Sequence, residues 1–379
     1  MQKVIFPIFS EISTPCYVVD ETKLLHNLEI LKGVQERTGC RILLAQKAFS
    51  MYALYPLISK YLCGTTASGL YEAKLGREEF EGEVHVYSPA YKENEFNEIL
   101  EYADHIVFNS FEQIRKYRDK CQGKSIGIRI NPEFSTQQHG DIYDPCAPYS
   151  RLGATIANFD ESEFDGVDGI HFHTLCEQNS DDLAKTLKVV EERFSPFLKR
   201  CKWVNFGGGH HITRENYDLS LLEKTIIDFQ RKYDVTVYLE PGEAIALNAG
   251  YLITEVLEIV KNGMNIAILD TSAACHMPDV LEMPYRPPLY SSGLADEKMH
   301  TYRLSSCTCL AGDVIGDYSF DLPLEVGDRL CFEDMAIYSM VKNNTFNGMP
   351  LPDIGILHSN GEFQVVRHFG YKDFKERLS

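Results

Sequence analysis

Short apolar runs alternate with segments of helical period over roughly the middle 200 residues of the chain. The predicted strands cover residues 41–45, 63–66, 84–87, 105–108, 126–130, 169–173, 203–206 and 236–239. Stretches with apolar positions at helical spacing lie between them, for example residues 181–198 and 219–233. Strands that alternate with helices predict βαβ units and a parallel sheet. Eight such units predict a closed (βα)8 TIM-type barrel, an α/β fold.

Beyond residue 250 the pattern changes to short apolar runs separated by Gly, Pro and Asp turns. This pattern predicts a mostly β domain. We therefore expect a barrel over residues 20–250 and a β domain over residues 251–379. Residues 1–19 also have a strand-like pattern and are expected to join the β domain. An open doubly wound sheet is the alternative for the first part, because it too binds ligands at the carboxyl ends of its strands.

Residues of unusual chemistry come directly after several predicted strands. Lys47 follows the first strand, His173 ends the sixth, residues 207–209 follow the seventh and Glu240 follows the eighth. Barrel enzymes assemble their sites at the carboxyl ends of the strands. The sequence therefore predicts an active site at this end of the barrel.

Lys47 lies in the segment LLAQKAFS, where an apolar strand meets the mouth of the barrel. Partial desolvation there lowers the pKa of a lysine and favours the free amine that reacts with an aldehyde. The alternative is a lysine that extends into solvent, as most lysines do.

Two glycine-containing turns predict a phosphate site. Gly207, Gly208 and Gly209 follow the seventh strand, and Gly242 lies in the Glu-Pro-Gly-Glu turn after the eighth. Glycine lets the backbone approach a phosphate closely and point N–H groups at it. Barrels bind phosphate after strands seven and eight. Glu240 would then project toward the other end of a phosphate-bearing cofactor.

Three further residues have both a functional and a structural interpretation. His173 is favoured as functional over an ordinary hydrogen-bonded core histidine. Cys309 is a candidate proton donor on a glycine-containing loop, or a small structural cysteine. Tyr338 could offer its hydroxyl to a phosphate or pack as an ordinary aromatic residue.

Composition narrows the function classes. The net charge of −18 over 379 residues disfavours nucleic acid and anionic membranes as partners, and it is compatible with a cationic substrate. No apolar run approaches the length of about 20 residues that a membrane span needs, and no signal peptide is apparent, so a cytoplasmic protein is expected. The eleven cysteines lack C-x-x-C spacing, which argues against a disulfide framework. No metal site is predicted, since neither Cys307-Cys309 nor His210-His211 has a partner pair at zinc-like spacing.

The motifs LLAQKAF, HFH, GGG, EPGE, HMPDVLEMPYRP, C-x-x-G-D and FNG occur in this order along the chain. As an ordered set they resemble the alanine racemase-like (fold type III) pyridoxal-phosphate-dependent decarboxylases. That family includes ornithine, arginine, diaminopimelate and carboxynorspermidine decarboxylases. The resemblance runs from about Thr14 to Phe369, nearly the whole chain. It implies an amino acid decarboxylase that uses pyridoxal 5'-phosphate (PLP).

The resemblance also implies a role for each matching residue. Lys47 matches the lysine that holds the cofactor as a Schiff base, and Glu240 matches the carboxylate that keeps the pyridinium nitrogen protonated. Cys309 matches the cysteine that protonates the substrate carbon and reaches into the partner subunit's site, which implies a homodimer with shared sites. The other implied cofactor contacts are Arg129, His173, Gly207, Gly208, Gly209, Gly242 and Tyr338.

Two departures from the ornithine-type pattern bear on the substrate. Glu243 stands where those members have an arginine after Glu-Pro-Gly, and Thr65 stands near the position of an aspartate. A carboxylate beside the phosphate is costly unless it meets a cation. Glu243 therefore predicts a contact to an amine of a polyamine-like amino acid, such as carboxynorspermidine or carboxyspermidine, and a role in polyamine biosynthesis. Asp279 resembles a second acidic contact to such a substrate. The alternative for each is a solvated turn residue.

Rival functions remain open at this point. Decarboxylation of diaminopimelate is disfavoured by Glu243, although Arg286 resembles a carboxylate-binding arginine of the diaminopimelate enzymes. Ornithine and arginine are further candidate substrates. A racemase would need a catalytic tyrosine opposite the lysine. A non-catalytic PLP-binding protein would typically lack the β domain.

Overall fold

The structure is a computed structural model that describes residues 7–9, 11–137 and 141–379. The chain forms two compact units. One unit is His26–Ile245, and the other combines Met1–Leu25 with Ala246–Ser379. The first strand, β1 (Cys16–Asp20), belongs to the second of these units.

The His26–Ile245 unit is built on a closed barrel of eight parallel strands, which confirms the predicted fold. Its strands are β2 (Arg41–Ala45), β3 (Gly64–Ala67), β4 (Glu83–Tyr87), β5 (His105–Phe108), β6 (Ser125–Arg129), β7 (Gly169–His171), β8 (Trp203–Asn205) and β9 (Thr236–Leu239). The helices that precede and connect them are α1 (Glu21–Thr38), α2 (Tyr55–Ile58), α3 (Leu70–Glu79), α4 (Glu93–Tyr102), α5 (Phe111–Tyr117), α6 (Ser180–Leu198), α7 (Leu219–Tyr233) and α8 (Glu243–Ala246).

Local sequence explains where the barrel helices begin and end. The Asp218 side chain accepts a hydrogen bond from the backbone N–H of Leu221 and so caps the start of α7. Asp234 ends α7 in the left-handed conformation. Leu222, Ile226 and Phe229 of this helix are buried at the three- to four-residue spacing of one helix face. The same pattern of cap and apolar face recurs in α6, which begins at the Asn179 cap.

The barrel interior is filled around Trp203, the single tryptophan of the chain. A Cβ atom on Gly169 would lie 2.1 Å from its indole ring, and one on Gly127 would lie 2.4 Å from it. Glycine at these strand positions therefore makes room for the ring. At the opposite end of the barrel from the predicted site, Glu83, His85 and His105 come together.

These three residues are the one group within the described residues that could hold a metal ion by composition, and the sequence analysis missed it. Arg41 already neutralises Glu83, at 2.9 Å. The two imidazole rings are stacked nearly parallel, with centroids 3.8 Å apart. A metal ion cannot lie in the planes of two parallel stacked rings at once. The arrangement therefore fits an ion-paired cluster at the amino end of the barrel better than a metal centre.

The second unit is a mixed sheet. In chain order after β1, its elements are β10 (Gly250–Asn262), β11 (Met264–Leu269), α9 (Ala273–His276), α10 (Asp279–Glu282), β12 (His300–Ser306), β13 (Val314–Phe320), β14 (Arg329–Glu333), β15 (Asp353–Leu357), β16 (Phe363–Arg367) and α11 (Tyr371–Glu376). The strand order is β13-β12-β11-β10-β1-β15-β16, and β14 also pairs with β10. Tyr17, Tyr318 and Phe332 lie in its apolar core.

The N-terminal segment is less strand-like than the sequence pattern predicts. Among its described residues, Cys16–Asp20 forms the one strand, which pairs with β10 and β15, while Pro7–Phe9 forms a short 3-10 helix. The remainder of the expectation, residues 1–6 and 10, lies outside the described residues. No described helix combines the length and the apolar character required of a transmembrane segment.

Buried histidines make the stability of the protein depend on pH. Burial and the neighbouring His85 lower the pKa of His105 to about 3, and burial lowers that of His210 to about 4. In the unfolded chain both regain a pKa near 6.5, so unfolding takes up protons below that pH. The contribution of these two histidines to the stability is therefore fully present above about pH 6.5. It is lost as the pH falls toward their pKa values in the folded protein.

We expect the melting temperature to fall progressively between pH 7 and pH 4 for this reason. Replacing His210 by Asn should make the decline shallower, whereas replacing the exposed His26 by Gln should leave it unchanged. Thermal melts followed by circular dichroism at several pH values measure this. A melting temperature that stays constant over the whole range would contradict the expectation.

Candidate active site

The residues predicted from the first unit gather at one end of the barrel. Lys47 lies in the turn after β2, Arg129 is the last residue of β6, His173 follows β7, and the glycine turn at residues 207–209 follows β8. Glu240 follows β9. Because all eight strands are parallel, these positions share the carboxyl end of the barrel.

The Lys47 side chain keeps access to solvent and makes no hydrogen bond or ion pair with the residues that the structure describes. Protein atoms nevertheless surround it closely. Desolvation, together with the positive charge of Arg129, lowers its pKa, while Glu240 acts in the opposite direction. A solvent-accessible amine with a lowered pKa in a recess is suited to attack a carbonyl group.

Glu240 is a buried carboxylate with two hydrogen-bond partners. Its Oε1 accepts from Asn205 Nδ2 at 2.8 Å, and its Oε2 lies 3.2 Å from His171 Nε2. Burial by itself would raise the pKa of Glu240, but the interactions with His171, His85 and Asn205 outweigh it and lower the pKa to about 2. The carboxylate is therefore ionised at neutral pH.

His173 presents a neutral imidazole. Its Nδ1 accepts a hydrogen bond from the backbone N–H of Gly208 at 2.8 Å, so the ring hydrogen is on Nε2. Burial and the positive charges of Lys47 and Arg129 hold its pKa well below the usual value. Arg129 donates to the carbonyl oxygen of His173 at 3.2 Å, and its Nε is buried without a partner among the described residues.

The glycine turn has a backbone that other residues would disturb. Gly207 has φ +70° and Gly209 has φ +81°, in the left-handed region. A Cβ on Gly208 would lie 2.6 Å from the carbonyl oxygen of Glu240 and 2.9 Å from His173 Cε1. The carbonyl oxygen of Gly207 accepts from the backbone N–H of Glu240 at 2.8 Å. This bond fastens the glycine turn to the Glu-Pro-Gly turn that contains Gly242.

The loss of unfolding free energy on substituting each of these glycines should depend on the space around it. Gly209→Ala places a Cβ 2.0 Å from the carbonyl oxygen of Leu175 at a positive φ, and it should cost about 3 kcal/mol or more of unfolding free energy. Gly208→Ala should cost about 1–3 kcal/mol and weaken cofactor binding. Chemical denaturation measures both. Gly370→Ala, at an open position, is the matched control, and equal costs at all three positions would contradict this.

Glu243 begins α8 and lies beside a histidine. Its Oε1 is 3.7 Å from His211 Nε2. Burial lowers the pKa of His211, with an opposing effect from Glu177. His211 therefore carries little positive charge at neutral pH.

The remaining predicted residues belong to the second unit. The Asp279 carboxylate forms an ion pair with Lys342, which also contacts Glu282 at 2.5 Å. Burial raises the pKa of Asp279. Asp279 therefore already has a cationic partner, which the sequence pattern did not reveal. Arg286 lies over the ring of Tyr318, at 4.4 Å from its centroid, and lines a cavity of about 670 Å³.

Cys309 is exposed in the loop between β12 and β13. Its backbone N–H donates to Asn347 Oδ1 at 2.7 Å. The buried carboxylate of Asp313 stabilises this loop. It accepts hydrogen bonds from the hydroxyl of Thr308 at 2.5 Å and from that of Ser272 at 2.6 Å. Tyr338 has φ +48°, an uncommon backbone conformation for a residue other than glycine.

Sequence reasoning missed two residues that contact Glu240. It did not name Asn205, although an asparagine two residues before three consecutive glycines was a visible signal. It gave a functional role to His173 and none to His171. The structure puts His171 at the end of β7 with its ring turned to Glu240.

Comparison with known proteins agrees with this geometry. The family model described as "Pyridoxal-dependent decarboxylase, C-terminal sheet domain" matches residues 16–336. The chain is 43% identical over 380 residues to the carboxynorspermidine/carboxyspermidine decarboxylase of Campylobacter jejuni, covering 97% of this chain and 99% of that protein. The chain belongs to the pyridoxal-dependent decarboxylase family. It is therefore an enzyme, and its cofactor is PLP.

Three further comparisons place this decarboxylase within its family. It is 42% identical over 376 residues to the carboxyaminopropylagmatine decarboxylase of Synechocystis, covering 98% of this chain and 97% of that protein. The crystal structure of the Campylobacter jejuni carboxynorspermidine decarboxylase in complex with norspermidine matches with a TM-score of 0.92 at 43% identity, covering 97% of this chain and all of that one (100%). Diaminopimelate decarboxylase of Helicobacter pylori has the same fold, with a TM-score of 0.83 at 19% identity, covering 98% of each chain.

The residues at the barrel mouth fit PLP. The backbone N–H groups of Gly207 and Gly208 donate to the side chains of Asn205 and His173, whereas that of Gly209 has no partner among the described residues and suits a phosphate. An accessible amine and an ionised, buried carboxylate lie at the same end of the barrel. Both are groups that an aldehyde-bearing pyridine ring requires.

Proposed function

We propose that this enzyme decarboxylates carboxynorspermidine and carboxyspermidine to norspermidine and spermidine in polyamine biosynthesis. The observation that carries the proposal is the carboxylate of Glu243 at the start of α8, 3.7 Å from His211, because a carboxylate there attracts the amines of such a substrate. The relatives that bear these substrates in their names are 43% and 38% identical over 97% of the chain.

For the cofactor, we infer that Lys47 forms the covalent attachment and that His173 stacks on the ring. The glycine turn, Gly242 and Tyr338 would hold the phosphate, with Arg129 nearby, and Glu240 would pair with the ring nitrogen. Bound in this way, the cofactor supplies an electron sink for the bond that loses carbon dioxide. The neutral His173 supports this assignment because a charged imidazole would weaken the attraction of a cationic ring.

The chain's own residues would then handle protons and charges. Lys47 would be released from its link to the cofactor when the amino group of the substrate takes its place, and its lowered pKa favours the uncharged amine for both steps. Glu240 holds a proton at the ring nitrogen through its ionised carboxylate. Cys309 of the partner subunit donates a proton to the substrate carbon after carbon dioxide has left.

This role of Cys309 implies a homodimer with two shared sites. It is supported by the exposure of the Cys309 side chain and by the buried Asp313, which fixes the loop that presents it. A cytoplasmic location stays a prediction.

Glu243 and Asp279 would bind the amines of the substrate. Glu243 is suited to this role because its neighbour His211 is largely neutral. Asp279 would have to exchange Lys342 for a substrate amine, so we rank its contribution below that of Glu243.

A second substrate is favoured by a specific observation, the 42% identity to a carboxyaminopropylagmatine decarboxylase. That compound carries a guanidinium group in place of a terminal amine. A guanidinium would also satisfy Glu243, because it donates hydrogen bonds in a fork that matches a carboxylate.

A substrate panel tests the proposal. Carbon dioxide release from purified protein is measured with carboxynorspermidine, carboxyspermidine, carboxyaminopropylagmatine, diaminopimelate, ornithine and arginine. We expect kcat/KM for a carboxylated polyamine to exceed that for diaminopimelate by about 10⁴-fold, because a mismatched buried charge is rejected strongly. The kcat/KM values for carboxynorspermidine and carboxyspermidine should differ by about 200-fold at most, since the two compounds differ by one methylene. Preference for diaminopimelate, or no turnover of any of the six, would overturn the proposal.

A further inference from the structure

Two side chains hold Glu240 from neighbouring strands, and neither has a role in the assignments above. We propose that His171 and Asn205 are positioning residues that hold the Glu240 carboxylate for the ring nitrogen of the cofactor. The inference rests on the proposed role of Glu240. It adds that this role depends on a three-residue network that spans the ends of β7, β8 and β9.

His171 is fixed on two sides. Its Nε2 is 3.2 Å from Glu240 Oε2, and its ring stacks on Tyr87 with centroids 5.5 Å apart. Tyr87 is held in turn by Asn109, to which it donates at 2.7 Å. A carboxylate only accepts hydrogen bonds, so Nε2 must carry the hydrogen.

The other ring nitrogen of His171, Nδ1, indicates that the histidine is needed for its hydrogen bond to Glu240 and not only for packing. Nδ1 is buried and has no hydrogen-bond partner among the described residues. A buried polar atom without a partner costs about 1–3 kcal/mol. An apolar aromatic residue would fill the same space against Tyr87 without that cost. The imidazole therefore serves the bond from Nε2 to Glu240.

Asn205 links the two ends of the site. Its Nδ2 donates to Glu240 Oε1 at 2.8 Å, and its Oδ1 accepts from the backbone N–H of Gly207 at 2.8 Å. The two partners fix the orientation of the amide, because one only accepts and the other only donates. The distance between the carboxylate and the glycine turn is thus set by one fully buried side chain.

The network also explains why the carboxylate stays ionised in a buried place. The largest interactions that lower the pKa of Glu240 come from His171 on β7, His85 on β4 and Asn205 on β8, and the charges of Lys47 and His210 also act on it. Without the His171 hydrogen bond, one of the interactions that oppose desolvation would be lost and the pKa of Glu240 would rise. Each unit of that rise lowers the ionised fraction tenfold once the pKa exceeds the working pH.

The test compares His171→Gln, which keeps an N–H donor, with His171→Phe, which keeps the ring without a donor. Apoprotein is reconstituted with PLP labelled with 15N at the ring nitrogen, and its chemical shift reports whether that nitrogen is protonated. We expect a protonated nitrogen in the wild type and in His171→Gln, and an unprotonated one in His171→Phe. For His171→Phe, kcat should fall about 10- to 100-fold with little change in KM, as for other residues that orient a ligating group.

Asn205 is tested by a second pair. Asn205→Asp keeps an acceptor for the Gly207 N–H but sets a carboxylate against Glu240, so it should alter the 15N shift while PLP still binds. Asn205→Leu removes both bonds and should also weaken PLP binding to the apoprotein. His276→Asn, at a buried histidine of the other unit, is the control for general destabilisation and should leave the shift unchanged.

A wild-type shift in His171→Phe and in both Asn205 variants would overturn the inference. If His171→Phe does not fold, His171→Asn takes its place, because its amide is too short to reach Glu240. The proposed role of Glu240 fails in a different way. In that case the ring nitrogen is unprotonated in the wild type, or stays protonated in Glu240→Gln.

Discussion

Lys47→Ala should lose decarboxylase activity by about 10³-fold or more, the order of loss that follows removal of a covalent catalytic group. The visible absorbance of the bound cofactor should disappear with it. The reason is chemical, because alanine offers no amine to the aldehyde of PLP. Absorbance spectra and carbon dioxide release from the purified variant measure the two effects.

Two control variants separate this loss from a change in charge or fold. Lys47→Arg keeps a positive charge but provides no nucleophilic amine at neutral pH, so it should be as inactive as the alanine variant. Lys60→Ala removes an exposed lysine and should behave as the wild type. An active Lys47→Ala enzyme that keeps its absorbance would exclude Lys47 as the attachment point.

Cys309→Ala should have the second largest effect. Amine formation should slow by about 10²–10⁴-fold, the usual contribution of a positioned proton donor. Quantifying norspermidine or spermidine against time measures it. Cys307→Ala is the matched control, since Cys307 is also exposed and lies two residues away in the same loop.

Mixing two inactive variants tests whether the site is shared. If Lys47 and Cys309 come from different subunits, Lys47→Ala and Cys309→Ala proteins should form mixed dimers with one intact site each. Random exchange then restores about a quarter of the wild-type activity. No recovery after subunit exchange has been verified would contradict the composite site.

The barrel could be predicted from sequence because its strands are short apolar runs separated by helical patterns. The weakest strand signal, around residues 63–66, nevertheless corresponds to β3 (Gly64–Ala67). A Cβ on Gly64 would lie 2.1 Å from the carbonyl oxygen of Glu83, so glycine is needed for its approach to β4. Tertiary packing, not intrinsic β-propensity, determines this strand.

Candidate site residues could be found where a strand is followed by unusual chemistry, as at Lys47 and Glu240. Their contacts could not be found in the same way. His171 precedes Glu240 by 69 residues and Asn205 precedes it by 35, so only the closed barrel brings them together. The ion pair of Asp279 with Lys342 joins residues 63 positions apart for the same reason.

The central claim is that the amine of Lys47 carries the cofactor, and chemical trapping tests it most directly. Holoenzyme is reduced with borohydride, digested with trypsin and analysed by mass spectrometry. We predict one modified peptide covering residues 42–60, because the modified Lys47 is no longer cleaved. A cofactor-derived mass on any other lysine, or none on protein that contains bound PLP, would contradict the account.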